Sequence, residues 1–215
     1  VGGDTRASVT GLVLGTTAIG YAPREKVVRR SGAQLNVLVC ITGNLGAAYM
    51  GMRLLEREKR VLEGVEDPRP QFEGYEYLLR RQLKPTAAAD TVASLRSAGI
   101  VPTSMIDLSD GLASDMLQIC KNSGCGVRLY LERIPIARET HKMAEELHAD
   151  PVVAALNGGD DNELLFTVPV TQQAKIAGIG GIDIIGHITP ASTGTRLVTP
   201  DGSELSLTAP GFREQ

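Results

Sequence analysis

Apolar and polar positions along the chain switch between two periods. Asn36–Thr42 (NVLVCIT) is a continuous β-rich run, the pattern of a strand buried on both faces. After Gly43-Asn44 the period lengthens: Ala47, Gly51, Leu54 and Leu55 recur at i, i+4, i+7 and i+8, one face of a helix that Gly64 stops. Glu63–Pro85 is less orderly, with Pro68, Pro70 and Pro85 among many charges, and reads as a surface excursion holding a short helix around Tyr75–Gln82. A helix at about Ala87–Ala98 leads into apolar Ile100–Ile106. Leu112, Met116, Ile119 and Cys120 then share a helical face that ends near Gly124. Strands are predicted at Val127–Leu131, Leu164–Val168, Asp183–Ile188 and Arg196–Val198, and helices at His141–Leu147 and Thr171–Ala177. Upstream, Val9–Ala22 reads as a strand and Val27–Gly32 as a turn. Strands and helices alternate without an internal repeat, so the class is α/β.

Charge and composition narrow the function. The chain has 215 residues with 22 Lys plus Arg against 25 Asp plus Glu, a formal charge of −3. No basic cluster stands out, so no nucleic-acid footprint is present. Hydrophobic residues at 42% and charged residues at 22% are globular composition. The length allows one large domain, or a domain plus a fragment. The longest apolar runs are broken by Gly and Thr and fall short of the roughly 20 residues that span a bilayer. No membrane partner is therefore expected. Asp4 and Arg6 interrupt the start before any signal-peptide core. Cys40, Cys120 and Cys125 cannot all pair and match no zinc spacing, so a reduced, cytoplasmic setting is expected. The chain opens on Val1-Gly2-Gly3-Asp4 without Met, and we expect that its true start is missing.

Three segments concentrate carboxylates beside glycine at element boundaries: Gly2-Gly3-Asp4-Thr5, Ile106-Asp107-Leu108-Ser109-Asp110-Gly111-Leu112 with Asp115 beyond, and Asn157-Gly158-Gly159-Asp160-Asp161-Asn162-Glu163. The second has two readings. One acid could cap the following helix, worth about 1 kcal/mol, and the helix dipole welcomes its charge. Two acids, a hydroxyl and a glycine also form the oxygen-only donor set that suits Mg²⁺, held by a few carboxylates plus substrate phosphates. The third segment reads either as a turn whose glycines take positive φ, with solvated acids, or as part of the same cation chemistry.

The common phosphate loops are missing. Gly43-Asn44-Leu45-Gly46 lacks the lysine of a P-loop, and Gly178-Ile179-Gly180-Gly181 has no strand–helix context. Phosphate would then fall to metal ions and arginine. Arg30, in an Arg-Ser-Gly turn, is the natural cation, and its alternative is an exposed surface charge. No nucleophilic triad assembles. His141 and His148 share a charged helical segment, His187 lies in a strand, and Cys40 and Cys120 sit on apolar faces. No side chain is nominated as a catalytic acid, base or nucleophile.

Taken in order, these segments resemble the thiamine-monophosphate kinase family. Its motifs run Gly-Gly-Asp-Thr-Thr, Arg-Ser-Gly-Ala, Thr-Gly-x-Leu-Gly, Ile-Asp-x-Ser-Asp-Gly-Leu and Gly-Gly-Glu-Asp-Tyr-Glu-Leu. This sequence has Gly2-Gly3-Asp4-Thr5, Arg30-Ser31-Gly32-Ala33, Thr42-Gly43-Asn44-Leu45-Gly46, Ile106–Leu112 and Gly158–Leu164. The resemblance implies transfer of the ATP γ-phosphoryl group to thiamine monophosphate, giving thiamine diphosphate, with ATP as co-substrate and several Mg²⁺ ions. It implies the two-domain fold of the aminoimidazole-ribonucleotide synthetase group, usually a homodimer. Residues 1–28 would be the end of an N-terminal ATP- and metal-binding domain. Residues 29–215 would be a C-terminal α/β domain, a mixed sheet flanked by helices. By position, Asp4, Asp107 and Asp110 resemble Mg²⁺ ligands, and Gly3, Asp4, Arg30 and Ser109 resemble ATP contacts. Asp160 and Phe212, in Gly211-Phe212, resemble contacts to the thiamine phosphate.

The chemistry is compatible with that assignment. Phosphoryl transfer rests on positioning and charge neutralisation, and an ionised phosphate acceptor needs no strong base. The sequence departs from the family at Arg6, at Asn36-Val37 for Gly-Asp, at Asp160 for Glu and at Asn162 for Tyr. The family carries further metal-binding aspartates before the first motif, so the chain is expected to be inactive alone. Two alternatives stay open: another ATP-dependent enzyme of the same superfamily, or a non-catalytic nucleotide-binding domain.

Overall fold

A computed structural model describes Thr17 and residues 19–209. The expectations for Gly3, Asp4 and Phe212, and for most of the Val9–Ala22 strand, lie outside the described residues. Ile19–Ala22, the described end of that run, carries no strand.

The elements run β1 (Val37–Thr42), α1 (Ala47–Val61), α2 (Glu76–Leu83), α3 (Ala89–Ser97), β2 (Ser104–Leu108), α4 (Leu112–Ser123), β3 (Gly126–Tyr130), α5 (Arg138–Glu146), α6 (Pro151–Asn157), β4 (Glu163–Pro169), α7 (Gln173–Ala177), β5 (Ile182–Thr189), β6 (Thr195–Val198) and β7 (Glu204–Ser206). The strands form one sheet in the order β2-β4-β1-β5-β3-β6-β7. Neighbours are antiparallel except β3 and β6, which run parallel. The predicted mixed sheet flanked by helices is what the chain forms.

Alternation along β1 explains its continuous apolar run. Val37, Val39 and Ile41 point into the cluster that α4 closes with Leu112, Met116 and Ile119. Cys40 points the other way, onto Phe166, Val168, Leu95 of α3 and Ile176 of α7. Both faces are covered, which makes Val37–Ile41 a continuous apolar run; burying such a side chain contributes about 1.5–3 kcal/mol. Burial pushes the Cys40 thiol up to about 12, leaving a small core residue with no reactivity.

Two expectations need correction. Glu63–Pro85 is more than a surface excursion: α2 inserts Leu78, 1% exposed, into a third cluster with Met50 and Leu54 of α1, Met143 of α5 and Ala154 of α6. The charges around α2 hide a one-residue apolar anchor that periodicity cannot register over so short a helix. Helix α6 and strand β7 are also additions. The start of α6 carried a signal, since Pro151 occupies the first turn and Asp150 accepts the Val152 N–H at 2.8 Å. Among the described residues, no helix is long and apolar enough to cross a membrane.

Candidate functional site

Antiparallel pairing of β2 with β4 sets Leu108 opposite Glu163. The loop after β2 and the loop before β4 therefore meet at one end of the sheet. Their main chains join directly: Asp160 N–H donates to the Ser109 carbonyl at 2.9 Å, and Asn162 N–H to the Leu108 carbonyl at 2.8 Å. Gly159 makes the approach possible, with φ of +75° and a position where a Cβ would lie 2.7 Å from the Ser109 carbonyl oxygen. Asp107, Ser109, Asp110 and Asp160 consequently lie on adjoining backbone segments, and all four are exposed. Among the described residues, none of their side chains makes a hydrogen bond or an ion pair.

The backbone-satisfying role falls to a different acid. Helix α4 begins after Gly111 without a side-chain cap. Asp115, one turn inside the helix and 2% exposed, holds the loop from behind. Its Oδ2 accepts the N–H groups of Ser109 at 3.1 Å and Asp110 at 3.2 Å. Burial, with the charges of Asp110 and Asp107 adding to it, pushes the Asp115 carboxyl up to about 6 even though the two N–H bonds oppose the shift. Asp115 thus takes over the backbone-satisfying role, and Asp107, Ser109 and Asp110 are left facing solvent.

Arg30 arrives from a separate segment, bent at Arg30 itself and otherwise irregular where Val27–Gly32 was expected to be a turn. Gly32 and Ala33 N–H both donate to Ser123 Oγ at 3.2 Å, fastening the segment to the end of α4. Met105 N–H donates to the Arg29 carbonyl at 2.9 Å, fastening it to β2. Arg30 and Asp107 thereby line one open pocket of about 630 Å³, with Val28, Ser31, Met105 and Asn122 on its walls. The sequence brings these two residues no nearer than 77 positions; β2 brings them together.

The second half of the third motif turns inward. Asp161, 2% exposed, accepts the Gly46 N–H at 2.9 Å at the start of α1. Burial pushes its carboxyl up to about 6 against the opposing Gly46 N–H and Arg81 charge. Glu163 accepts Arg81 Nη1 at 2.6 Å and the Thr42 hydroxyl. Arg81 Nη2 also donates to the carbonyls of Asn44 at 3.1 Å and Asp161 at 2.9 Å. Sequence reasoning missed Arg81 because it lay in the supposed excursion. Its signal was its place three positions after Leu78, on the inward side of α2.

The other phosphate-loop candidates are spent on the fold. Gly43, Leu45 and Gly46 N–H donate to the Gly181 carbonyl, the Pro135 carbonyl and Asp161. Gly178 ends α7 and does not begin a helix. His187 stacks on Tyr130 and accepts or donates at 3.2 Å through Nδ1, while burial lowers its pKa. His141 and His148 are exposed. Among the described residues, no three His, Cys, Asp or Glu side chains gather closely enough to hold a metal ion unaided. The site as described offers paired oxygen donors, one guanidinium and an open pocket. That set suits a polyphosphate that brings its own oxygens to a shared cation.

No protein-family model matches the chain. It is similar to the thiamine-monophosphate kinase of Escherichia coli (strain K12), 31% identical over 220 residues and 99% of this chain. The chain spans 62% of that relative's length. The crystal structure of thiamine monophosphate kinase from Aquifex aeolicus matches 83% of this chain and 54% of its own, with a TM-score of 0.66 and 30% identity. AaThiL complexed with AMPPCP and TMP matches with a TM-score of 0.65, again at 30% identity, over 83% of this chain and 52% of that one.

Proposed function

We propose that the chain belongs to an ATP-dependent kinase that transfers the γ-phosphoryl group to thiamine monophosphate. The observation that carries the reading is the junction of the two loops across β2 and β4. It joins the backbone of the Asp107–Asp110 segment to that of Asp160, and among the described residues the four side chains make no hydrogen bond or ion pair. The relatives named above are thiamine-monophosphate kinases, and one of them is complexed with AMPPCP and TMP.

On this reading Arg30 and Ser109 face the nucleotide and Asp160 faces the acceptor. The bond that forms joins an acceptor phosphate oxygen to the γ-phosphorus; the bond that breaks runs from that phosphorus to the β–γ bridging oxygen. The acceptor oxygen is already ionised near neutral pH, so no side chain needs to take a proton. The difficulty is electrostatic, since two phosphate groups must approach. Asp107 and Asp110 fit a hard divalent ion, being exposed, oxygen-only and, among the described residues, without a hydrogen-bond or ion-pair partner. They would hold Mg²⁺ together with phosphate oxygens and with Asp4, which lies outside the described residues. Bound there, Mg²⁺ would supply neutralisation of the phosphate charge. Arg30 adds a fixed cation. Asp115 and the Ser123 hydroxyl hold the two backbone segments that present these groups.

The test is direct. The full-length protein, given ATP, MgCl₂ and thiamine monophosphate, is expected to form thiamine diphosphate, read by chromatography. A folded protein that forms none overturns the reading.

A further inference from the structure

We propose that Arg81 is a positioning residue: its guanidinium locks the Gly158–Asn162 loop in the backbone conformation that presents Asp160 to the phosphate acceptor. The proposal rests on the kinase reading for the acceptor, and on geometry alone for the loop.

The loop is strained. Asp160 takes φ of +58° and Asn162 takes +54°, both in the left-handed region that L side chains disfavour. Such residues persist where their surroundings over-determine them. On one side the surroundings are β2 and its loop, through the Ser109 and Leu108 carbonyls. On the other side the carbonyl of Asp161, between the two strained residues, accepts Arg81 Nη2 at 2.9 Å. Among the described residues, Arg81 is the one side chain from outside the loop that hydrogen-bonds its main chain.

Arg81 is itself fixed on three sides. Its side chain is 14% exposed, and Nη1 meets Glu163 Oε1 at 2.6 Å, just past the loop. Nη2 also reaches the Asn44 carbonyl at 3.1 Å, in the loop after β1. Glu163 is held in turn by the Thr42 hydroxyl, whose oxygen accepts the Leu164 N–H at 2.9 Å. Gly43, with φ of +60°, packs so closely on the Glu163 carboxylate that a Cβ there would collide with it. Three donors in a rigid plane thus tie α2, the loop after β1 and the acidic loop into one unit. Lysine, a point charge on a flexible stem, cannot reproduce the fork.

Arg81→Met alone would strand a buried Glu163 charge, so the informative variants are Arg81→Lys and the paired Arg81→Met/Glu163→Gln. Both are made in the full-length protein and checked for folding by circular dichroism. Two measurements decide: steady-state kinetics with each substrate varied, and amide hydrogen exchange across residues 158–164. In the paired variant, KM for thiamine monophosphate is expected to rise about tenfold or more while KM for ATP stays within about twofold. Arg81→Lys is expected to fall between it and wild type. The loop amides of Asp160 and Asn162 are expected to exchange at least about tenfold faster in the paired variant. A purely structural role would lower kcat through the folded fraction and leave both KM values alone. Equal shifts in both KM values, or no shift in either, overturn the proposal. Where wild type shows no turnover, the kinase reading falls. Exchange then decides alone: faster exchange upholds the loop-locking role, and unchanged exchange overturns it.

Discussion

Asp115 Oδ2 lies directly behind the exposed acidic loop, accepting the backbone N–H of Asp110 at 3.2 Å. One buried carboxylate therefore shapes the presentation of another that faces solvent. Replacing Asp115 by alanine leaves the N–H groups of Ser109 and Asp110 without their acceptor, and should lower stability by about 1–3 kcal/mol. Asparagine keeps an acceptor oxygen and sheds a buried charge, so Asp115→Asn should cost well under half as much. Urea midpoints of the two variants read the difference. Equal losses would mean that charge, rather than the acceptor geometry, holds the loop.

Asp161 gives the fold a pH signature. Burial pushes its folded carboxyl up to about 6, against an ordinary 3.8. The folded chain therefore holds this proton more tightly than the unfolded chain. The stability this contributes is complete below about pH 4 and is lost as pH rises through 6. Asp161→Asn removes the dependence. The variant-minus-wild-type difference in unfolding free energy should shift in the variant's favour between pH 4 and pH 7, by on the order of 1–3 kcal/mol. A series of urea titrations measures it, and a flat difference would show that Asp161 titrates normally.

How far the sequence reaches is visible in particular residues. The faces of β1 and α4 were legible because each repeats its apolar spacing for several residues and is buried where the spacing says. Asp107, Ser109, Asp110 and Asp160 were legible as exposed polar groups at element ends, where acids beside glycine gather. Their meeting was not legible, because the Leu108–Glu163 pairing joins segments 55 positions apart. Asp115 and Asp161 escaped for a different reason. They differ from their exposed neighbours only in the direction their side chains point, which one-letter chemistry does not carry. Arg81 was obscured by the prolines and charges around a helix whose single buried anchor is Leu78.

Asp107 separates cation binding from capping. Its side chain is exposed and, among the described residues, has no protein partner. Asp107→Asn should therefore leave stability within about 0.5 kcal/mol of wild type. On the kinase reading, in which Asp107 holds Mg²⁺, the same change should still reduce Mg²⁺-dependent turnover of the full-length protein by about 100-fold or more. Paired urea and turnover measurements are needed, because a capping residue predicts the reverse: lowered stability with activity retained per folded molecule.

Arg30 and Ser123 make a linked test of the nucleotide side that the kinase reading assigns. Arg30 is exposed and lines the pocket that Asp107 shares, so Arg30→Ala should raise KM for ATP about tenfold with little effect on folding. Ser123 never enters that pocket's lining; its hydroxyl holds the segment by accepting Gly32 and Ala33 N–H at 3.2 Å. If the segment's position is what aims the guanidinium, Ser123→Ala should reproduce part of the rise in KM for ATP. In the double variant the two effects should be less than additive, since an arginine already absent cannot be misplaced. Full additivity would mean that Ser123 acts on the nucleotide by another route. On the kinase reading, the same kinetics with thiamine monophosphate varied should show a smaller change, because the acceptor loop bonds directly to Arg81 and to the Leu108 and Ser109 carbonyls and makes no hydrogen bond to this segment among the described residues.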